Sequence, residues 1–350
     1  MSLDKGRILI TGATGFVGSH LVPRLVQDGY RIVTFGRSHD VDPAYAALTV
    51  EHVRGDVTDP RSLDAALQLP GGKFDCIFHM AGLVSYKKKD LARQININVD
   101  GTRNVLEAAL KANVRRVVHT SSIAAIGIPG LVRDDKMSRR VAYDESAFKI
   151  GDEDFAYNLS GLGLTYCDTK YAAERVVVEM SDRVECVMLN PGIIFGERDT
   201  HHHHHSIFKA LSRGYWKAVP RGGIPFSDIL DVVDAHVAAI DRGLPGQRHN
   251  LVSANLTFME AAAIFASIYH CPLPSTTLGP GIIALVGEFC EIAASLGFPF
   301  GLSRQTAFLS NYKIFFSSER AKKQLGFRPT NFAETVRRTA PYYLGTGTRQ

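Results

Sequence analysis

The chain has 350 residues, with 45% hydrophobic and 21% charged, a composition that excludes disordered and collagen-like classes and leaves room for about two folding units, or one large α/β unit with an attached lobe. The formal charge of +5 comes from 40 Lys and Arg spread along the chain, and the densest runs, Lys87-Lys88-Lys89 and Arg115-Arg116, are too short to read as a nucleic-acid footprint. Five cysteines (Cys76, Cys167, Cys186, Cys271 and Cys290) form no CxxC pair, which speaks against a disulfide framework or zinc knuckle and for reduced thiols in the cytoplasm.

The N-terminal Met1–Ile10 passes from a short polar lead directly into an apolar strand, without the apolar core of a signal peptide. From there short apolar runs alternate with amphipathic stretches, the pattern of βαβ units around a parallel sheet. Strands are expected at Arg7–Thr11, Arg31–Phe35, Val50–Val53, Cys76–His79, Arg116–Thr120 and Glu185–Leu189, each brief and apolar as befits strands buried on both faces. Helices are expected over Phe16–Gln27, Asp90–Ala112 and Asp168–Ser181, where apolar residues recur every three or four positions. The expected fold is α/β: a doubly wound parallel sheet of the Rossmann type over residues 1–191, with later returns near 226–252. Residues 192–350 are expected to form mainly a smaller C-terminal substrate-binding lobe. Its helices fall near Ser206–Arg213, Asp231–Asp241, Phe258–Ile268, Ile282–Leu296 and Ser318–Gln324, between Gly- and Pro-rich turns. The most apolar stretch, Gly281–Phe300, is interrupted by Glu288, Glu291, glycines and Pro299, so no membrane span is expected. Such a surface suits either lobe packing or a pocket for a flat, lipid-like substrate.

The first strand runs into Thr11-Gly-Ala-Thr-Gly-Phe-Val-Gly18, which sets Gly12, Gly15 and Gly18 at a strand-to-helix turn with Thr14, Phe16 and Val17 between them. Residues without Cβ allow the backbone to approach a pyrophosphate, whose charge is favoured at the helix N-terminus. At the end of the second strand, Arg37 with Ser38 stands where an acidic residue would meet the ribose 2′-hydroxyl of NAD. An arginine there accommodates a 2′-phosphate, and the expected cofactor is NADP(H) rather than NAD(H). Asp56 and Val57 follow the third strand and can meet the adenine; Ala81 and Gly82 follow the fourth and can lie along the cofactor.

Leu164-Thr-Tyr-Cys-Asp-Thr-Lys170 places Tyr166 and Lys170 four residues apart, on one helical face. A free tyrosine, with a pKa near ~10, is a poor proton shuttle at neutral pH unless a nearby cation favours the phenolate. Lys170 is placed to do that. Val117-Val-His-Thr-Ser-Ser122 ends the fifth strand in two hydroxyls at the edge where doubly wound sheets bind ligands.

With these motifs the sequence resembles the extended short-chain dehydrogenase/reductase family. The resemblance covers nearly the whole chain through TGATGFVGSHL, GDVTD, HMAG, NVDGTRNVLEAA, HTSSIAAIG, YCDTK, LNPGIIFG, FSDILDVVDAHVAAI and FSSERAKKQLGFRP, and is strongest toward the dihydroflavonol 4-reductase and 3β-hydroxysteroid dehydrogenase-like branch. It implies that Ser122 hydrogen-bonds the substrate oxygen, with Ser121 as the alternative, that Tyr166 exchanges the proton, and that Lys170 binds the nicotinamide ribose and biases Tyr166. It also implies that Pro191 and Gly192 flank the nicotinamide, that Asn98 supports the site or packs its helix, and that the chain forms a homodimer. One departure is the long spacing between Ser122 and Tyr166, which includes Arg133-Asp-Asp-Lys-Met-Ser-Arg-Arg140 and is expected to reshape the pocket entrance.

The expected activity is a reductase or dehydrogenase interconverting a small carbonyl and a secondary alcohol. A sugar-nucleotide epimerase or dehydratase retaining its cofactor is the alternative; Arg37 argues against it, as does Ile123-Ala124 after Ser122 where family dehydratases carry acidic residues. A non-catalytic dinucleotide sensor is less favoured, because both Tyr166 and Lys170 are present. The run His201–His205 lies nine residues after Gly192. Only His201 and His205 have an i, i+4 spacing suited to a metal, nothing completes such a site, and no metal is expected. By the family resemblance the run belongs to the substrate-side cover.

Overall fold

The computed structural model describes residues 5–133, 141–146, 148–199, 217–295 and 302–344. In chain order the strands are β1 (Arg7–Thr11), β2 (Arg31–Gly36), β3 (Val50–Arg54), β4 (Cys76–His79), β5 (Arg116–Thr120), β6 (Leu131–Arg133), β7 (Val141–Tyr143), β8 (Glu185–Pro191), β9 (Ile193–Phe195), β10 (Ala218–Pro220), β11 (Gly223–Asp228), β12 (Arg248–Leu251), β13 (Ala254–Thr257) and β14 (Thr276–Leu278). The helices are α1 (Phe16–Gln27), α2 (Pro60–Leu67), α3 (Leu91–Gln94), α4 (Gly101–Lys111), α5 (Thr165–Met180), α6 (Ile229–Ala238), α7 (Phe258–Tyr269), α8 (Pro280–Ser295), α9 (Arg304–Leu309), α10 (Glu319–Leu325) and α11 (Phe332–Leu344).

Seven strands pair in the order β12-β8-β5-β4-β1-β2-β3, and every pairing in that sheet is parallel. This is the doubly wound sheet expected from the sequence. β1 is buried along its whole length, and its side chains alternate between two cores, which is why it reads as one apolar run. Ile8 and Ile10 pack with Leu21 and Leu25 of α1 and Val232 of α6. Leu9 packs on the other face with Val105 and Leu106 of α4 and Val177 of α5. Each such side chain contributes roughly 1.5–3 kcal/mol on burial, so these two layers dominate the favourable side of folding.

The strand order reverses between β1 and β4, and the C-terminal strand edges there open the crevice in which such sheets bind ligands. A separate aromatic core, with Phe195, Phe226, Phe265, Phe332 and Tyr343, lies with the three-stranded sheet β13-β11-β9 and helices α7 and α11.

Three differences from expectation have physical causes. α5 begins at Thr165, three residues before the expected start at Asp168, because the Gln305 side-chain oxygen on α9 accepts from the Thr165 N–H at 3.1 Å. A cap from a remote helix leaves no local signal. The expected Asp90–Ala112 helix is broken by a π-helical stretch over Ile95–Asp100, a wider turn that periodicity does not register. The apolar residues of α8 are not packed into a core along the whole helix: Ile282, Leu285, Phe289 and Ile292 are all more than half exposed. Among the described residues no helix is long and apolar enough to cross a membrane. The expected helix Ser206–Arg213, the run His201–His205 and residues 134–140 of the long spacing lie outside the described residues.

Candidate active site

β1 ends at Thr11, and the chain turns through Gly12 at φ +74°. A Cβ at Gly12 would lie 2.6 Å from the Ala81 backbone nitrogen, and one at Gly18 would lie 2.1 Å from the Ala13 carbonyl oxygen. No side chain fits at either position, and the turn is packed backbone against backbone. Gly15 is the N-cap of α1 without any side-chain capping bond; Thr14 is exposed, and Gly15, Phe16 and Val17 are half-buried. A helix N-terminus left open beside glycines is a ready site for a pyrophosphate, and these residues fit a dinucleotide.

Arg37 and Ser38 follow β2 on the exposed surface. Among the described residues Arg37 makes no hydrogen bond or ion pair, while Ser38 donates to the Asp40 carbonyl at 3.2 Å. Asp56 turns its carboxylate onto its own loop, accepting from Thr58 N at 3.0 Å and Thr58 Oγ1 at 2.9 Å, and Val57 is buried. The Ala81 N–H donates to Thr11 Oγ1 at 3.2 Å. Gly82 is exposed. Pro191 ends β8 buried, and Gly192 donates to Ser227 Oγ at 2.8 Å with no space for a side chain against the Pro225 carbonyl.

Ser122 and Tyr166 come together, with the Ser122 side chain placed to favour the ionised phenol. Ser122 caps the short turn Ile123–Ala125, its Oγ accepting from the Ala124 N–H at 3.1 Å. Tyr166 is 8% exposed and stands edge-on to Tyr86, with ring centroids 5.5 Å apart. Burial pushes its phenol up to about 12, and Ser122 opposes that rise. Lys170, one turn along α5, donates from Nζ to the Thr120 carbonyl at 2.9 Å. Burial lowers its ammonium to about 8 and Glu174 opposes the fall. The alternative serine, Ser121, faces elsewhere: it is buried and donates to Glu174 Oε1 at 2.6 Å. Only Ser122 of the pair is partly exposed beside Tyr166.

Beneath the strand edge a chain of polar contacts joins the two halves of the crevice. Thr11 Oγ1 lies 2.9 Å from His79 Nδ1, and His79 Nε2 lies 3.0 Å from Thr102 Oγ1, which donates to the Asn98 carbonyl at 2.6 Å. The Asn98 side chain grips Leu83 at both backbone groups, accepting at 2.7 Å and donating at 3.1 Å, and donates to Thr169 at 3.3 Å. Asn98 therefore packs its helix and ties the loop after β4 to α5.

Several contributors escape a reading of motifs. Thr120 and Gln305 act through backbone and remote capping, and Asn190 lies on another strand. Glu174 did leave a signal: it follows Lys170 by four residues, hence on the same face as Tyr166 and Lys170.

Residues 8–251 match the model of the NAD dependent epimerase/dehydratase family. The chain is 27% identical to sterol demethylase protein B of Methylococcus capsulatus, over 94% of this chain and 96% of that protein. It is 27% identical to a putative dihydroflavonol 4-reductase of Synechocystis, over 97% of this chain and 94% of that one. A crystal structure of a protein named gox2253 superposes with a TM-score of 0.77 at 27% identity, covering 99% of this chain and 100% of that one.

Proposed function

The chain belongs to the NAD dependent epimerase/dehydratase family, and from that premise we propose that it is an NADP(H)-dependent oxidoreductase interconverting a carbonyl and a secondary alcohol on a small substrate. The observation that carries this reading is the Ser122–Tyr166 hydroxyl pair, with Lys170 one turn away at the edge of the crevice. When bound, the nicotinamide supplies or removes the hydride. Ser122 orients the substrate oxygen, and Tyr166 passes its phenolic proton to that oxygen in reduction or takes it back in oxidation. Lys170 contributes positive charge that favours the phenolate once Tyr166 has given up its proton.

The turn Gly12–Gly18 would hold the pyrophosphate, and Asp56, Val57, Ala81, Gly82, Pro191 and Gly192 would line the path of the cofactor. Arg37 would meet a 2′-phosphate; its exposure at the end of β2, with no partner among the described residues, supports NADP(H). A planar guanidinium suits phosphate recognition better than ribose recognition. The likeness to a reductase and to a sterol-related protein favours a substrate with apolar surface. Incubation with NADPH and a panel of aldehydes and ketones tests the assignment. Stoichiometric NADPH oxidation with formation of the alcohol is the expected result. Inversion of a sugar-nucleotide centre with no net cofactor consumption would mark an epimerase instead.

A further inference from the structure

Glu174 is 1% exposed, and both of its oxygens are engaged. Oε1 accepts from Ser121 Oγ at 2.6 Å and from Asn190 Nδ2 at 2.5 Å; Oε2 accepts from Arg248 Nε at 2.6 Å. The same Asn190 amide group donates to the Ser122 carbonyl at 3.1 Å. One carboxylate on α5 therefore gathers the end of β5, through Ser121 and the Ser122 backbone, together with β8 and β12. Buried charges are costly unless paired and hydrogen-bonded, and this one is both. Arg248 in turn donates from Nη1 to the carbonyls of Glu153 and Phe155, at 3.3 and 3.4 Å. Glu174 also lies one helical turn from Lys170, on its far side from Tyr166.

We propose that Glu174 is a positioning residue for the reacting set, anchoring the backbone that carries Ser122 to the helix that carries Tyr166 and holding a negative charge one turn from Lys170. The inference rests on the reading of Ser122, Tyr166 and Lys170 given above. Lys170 shares a helical face with Tyr166 one turn away, and interacts with Glu174 on its own helix, His79 on β4 and His119 on β5. Burial drives both imidazoles toward the neutral form, His79 down to about 3 and His119 also downward, with Lys170 adding to each shift. Glu174 is thus the counter-charge to Lys170 in that shell, and it opposes the loss of the Lys170 proton that burial promotes.

The test is an NMR titration of the ligand-free chain carrying ¹³C-labelled lysine, with the Lys170 signal assigned by its absence in Lys170→Arg. In the parent chain Lys170 is expected to titrate below the usual lysine range, at about 8, because it is buried. In Glu174→Gln its titration moves down by about one pH unit, because the group favouring the ammonium is gone. Removing one partner of a buried pair can prevent folding, so Glu174→Gln with Arg248→Met, which removes both charges, is measured as well; a shift in the same downward direction but smaller is expected, because the lost Arg248 charge had itself disfavoured the ammonium. kcat on the identified substrate falls about tenfold or more in these variants, while Glu174→Asp recovers part of it. A Lys170 titration that stays in place in the folded double variant overturns the proposal. Absence of turnover in the parent chain would sink the oxidoreductase reading alone, since the titration decides the role of Glu174 independently of turnover.

Discussion

At the β1–α1 turn the chain offers closely packed backbone with no side chain at its glycines, whereas at the junction of β5 with α5 it offers side chains held in place by other buried side chains. Gly12 and Gly18 matter for what they lack: a Cβ would collide with Ala81 or Ala13. Ser122, Tyr166 and Lys170 matter for what they carry, and each is fixed by a partner outside its own motif, whether Asn190, Tyr86 or Thr120. The first end can bind a charged cofactor with few means of doing chemistry on it. The second can move a proton but depends on a buried polar scaffold, so the two should fail in different ways.

The sharpest break at the first end is Gly18→Val, whose side chain would have to displace the Ala13 backbone. NADPH binding, followed by cofactor fluorescence, should be lost altogether. Arg37→Ser should weaken NADPH about tenfold to a hundredfold, the range expected for losing hydrogen bonds to a charged group, while leaving NADH within about twofold. Equal losses for both cofactors would move Arg37 away from the 2′-phosphate.

The second end should instead be sensitive to acid. His79 and His236 are fully buried, and burial lowers them to about 3 and about 4, with His236 Nε2 set 2.8 Å from Thr120 Oγ1. His119 is lowered too, and neither of its ring nitrogens has a hydrogen-bond partner among the described residues. Between these folded values and the unfolded value near ~6.5, the unfolded chain binds more protons, so stability falls as pH drops through that window. Each of the first two costs on the order of 2 kcal/mol at pH ~4.5, and melting temperatures should fall steadily from pH ~6.5 downward. A flat profile over that range would contradict the neutral buried imidazoles. The smallest effect belongs to Ser121→Ala, which removes one donor to Glu174. A net hydrogen bond of about 0.5–1.5 kcal/mol translates to a roughly twofold to tenfold drop in kcat, with NADPH affinity unchanged.

The same contrast separates what the sequence makes legible from what it hides. The glycine turn is local: the eight consecutive residues Thr11–Gly18, from the end of β1 into α1, contain the device, and the alternation of Ile8, Leu9 and Ile10 announces a strand buried on both faces. The reacting end is assembled from β5, α5, β8 and β12. Tyr166 and Lys170 are readable because helical spacing brings them together, but motif order cannot choose between Ser121 and Ser122. What distinguishes them lies outside the motif: Glu174, fifty-three positions away, accepts a hydrogen bond from Ser121, and Ser122 is the one beside Tyr166. Burial is equally invisible in a motif, and it is burial that sets the direction of the Tyr166 and Lys170 shifts. The apolar α8 misleads for a related reason: composition records that Leu285 and Phe289 are apolar but not that they stand 73% and 65% exposed.

Tyr166→Phe tests the central claim most directly, because it removes one oxygen and leaves the ring against Tyr86 in place. With NADPH and a turned-over carbonyl substrate, kcat should fall about 10²–10⁴-fold, the range for losing a general acid, while the dissociation constant for NADPH stays within about twofold. Turnover at the parent rate in a folded, NADPH-binding Tyr166→Phe chain would contradict the account.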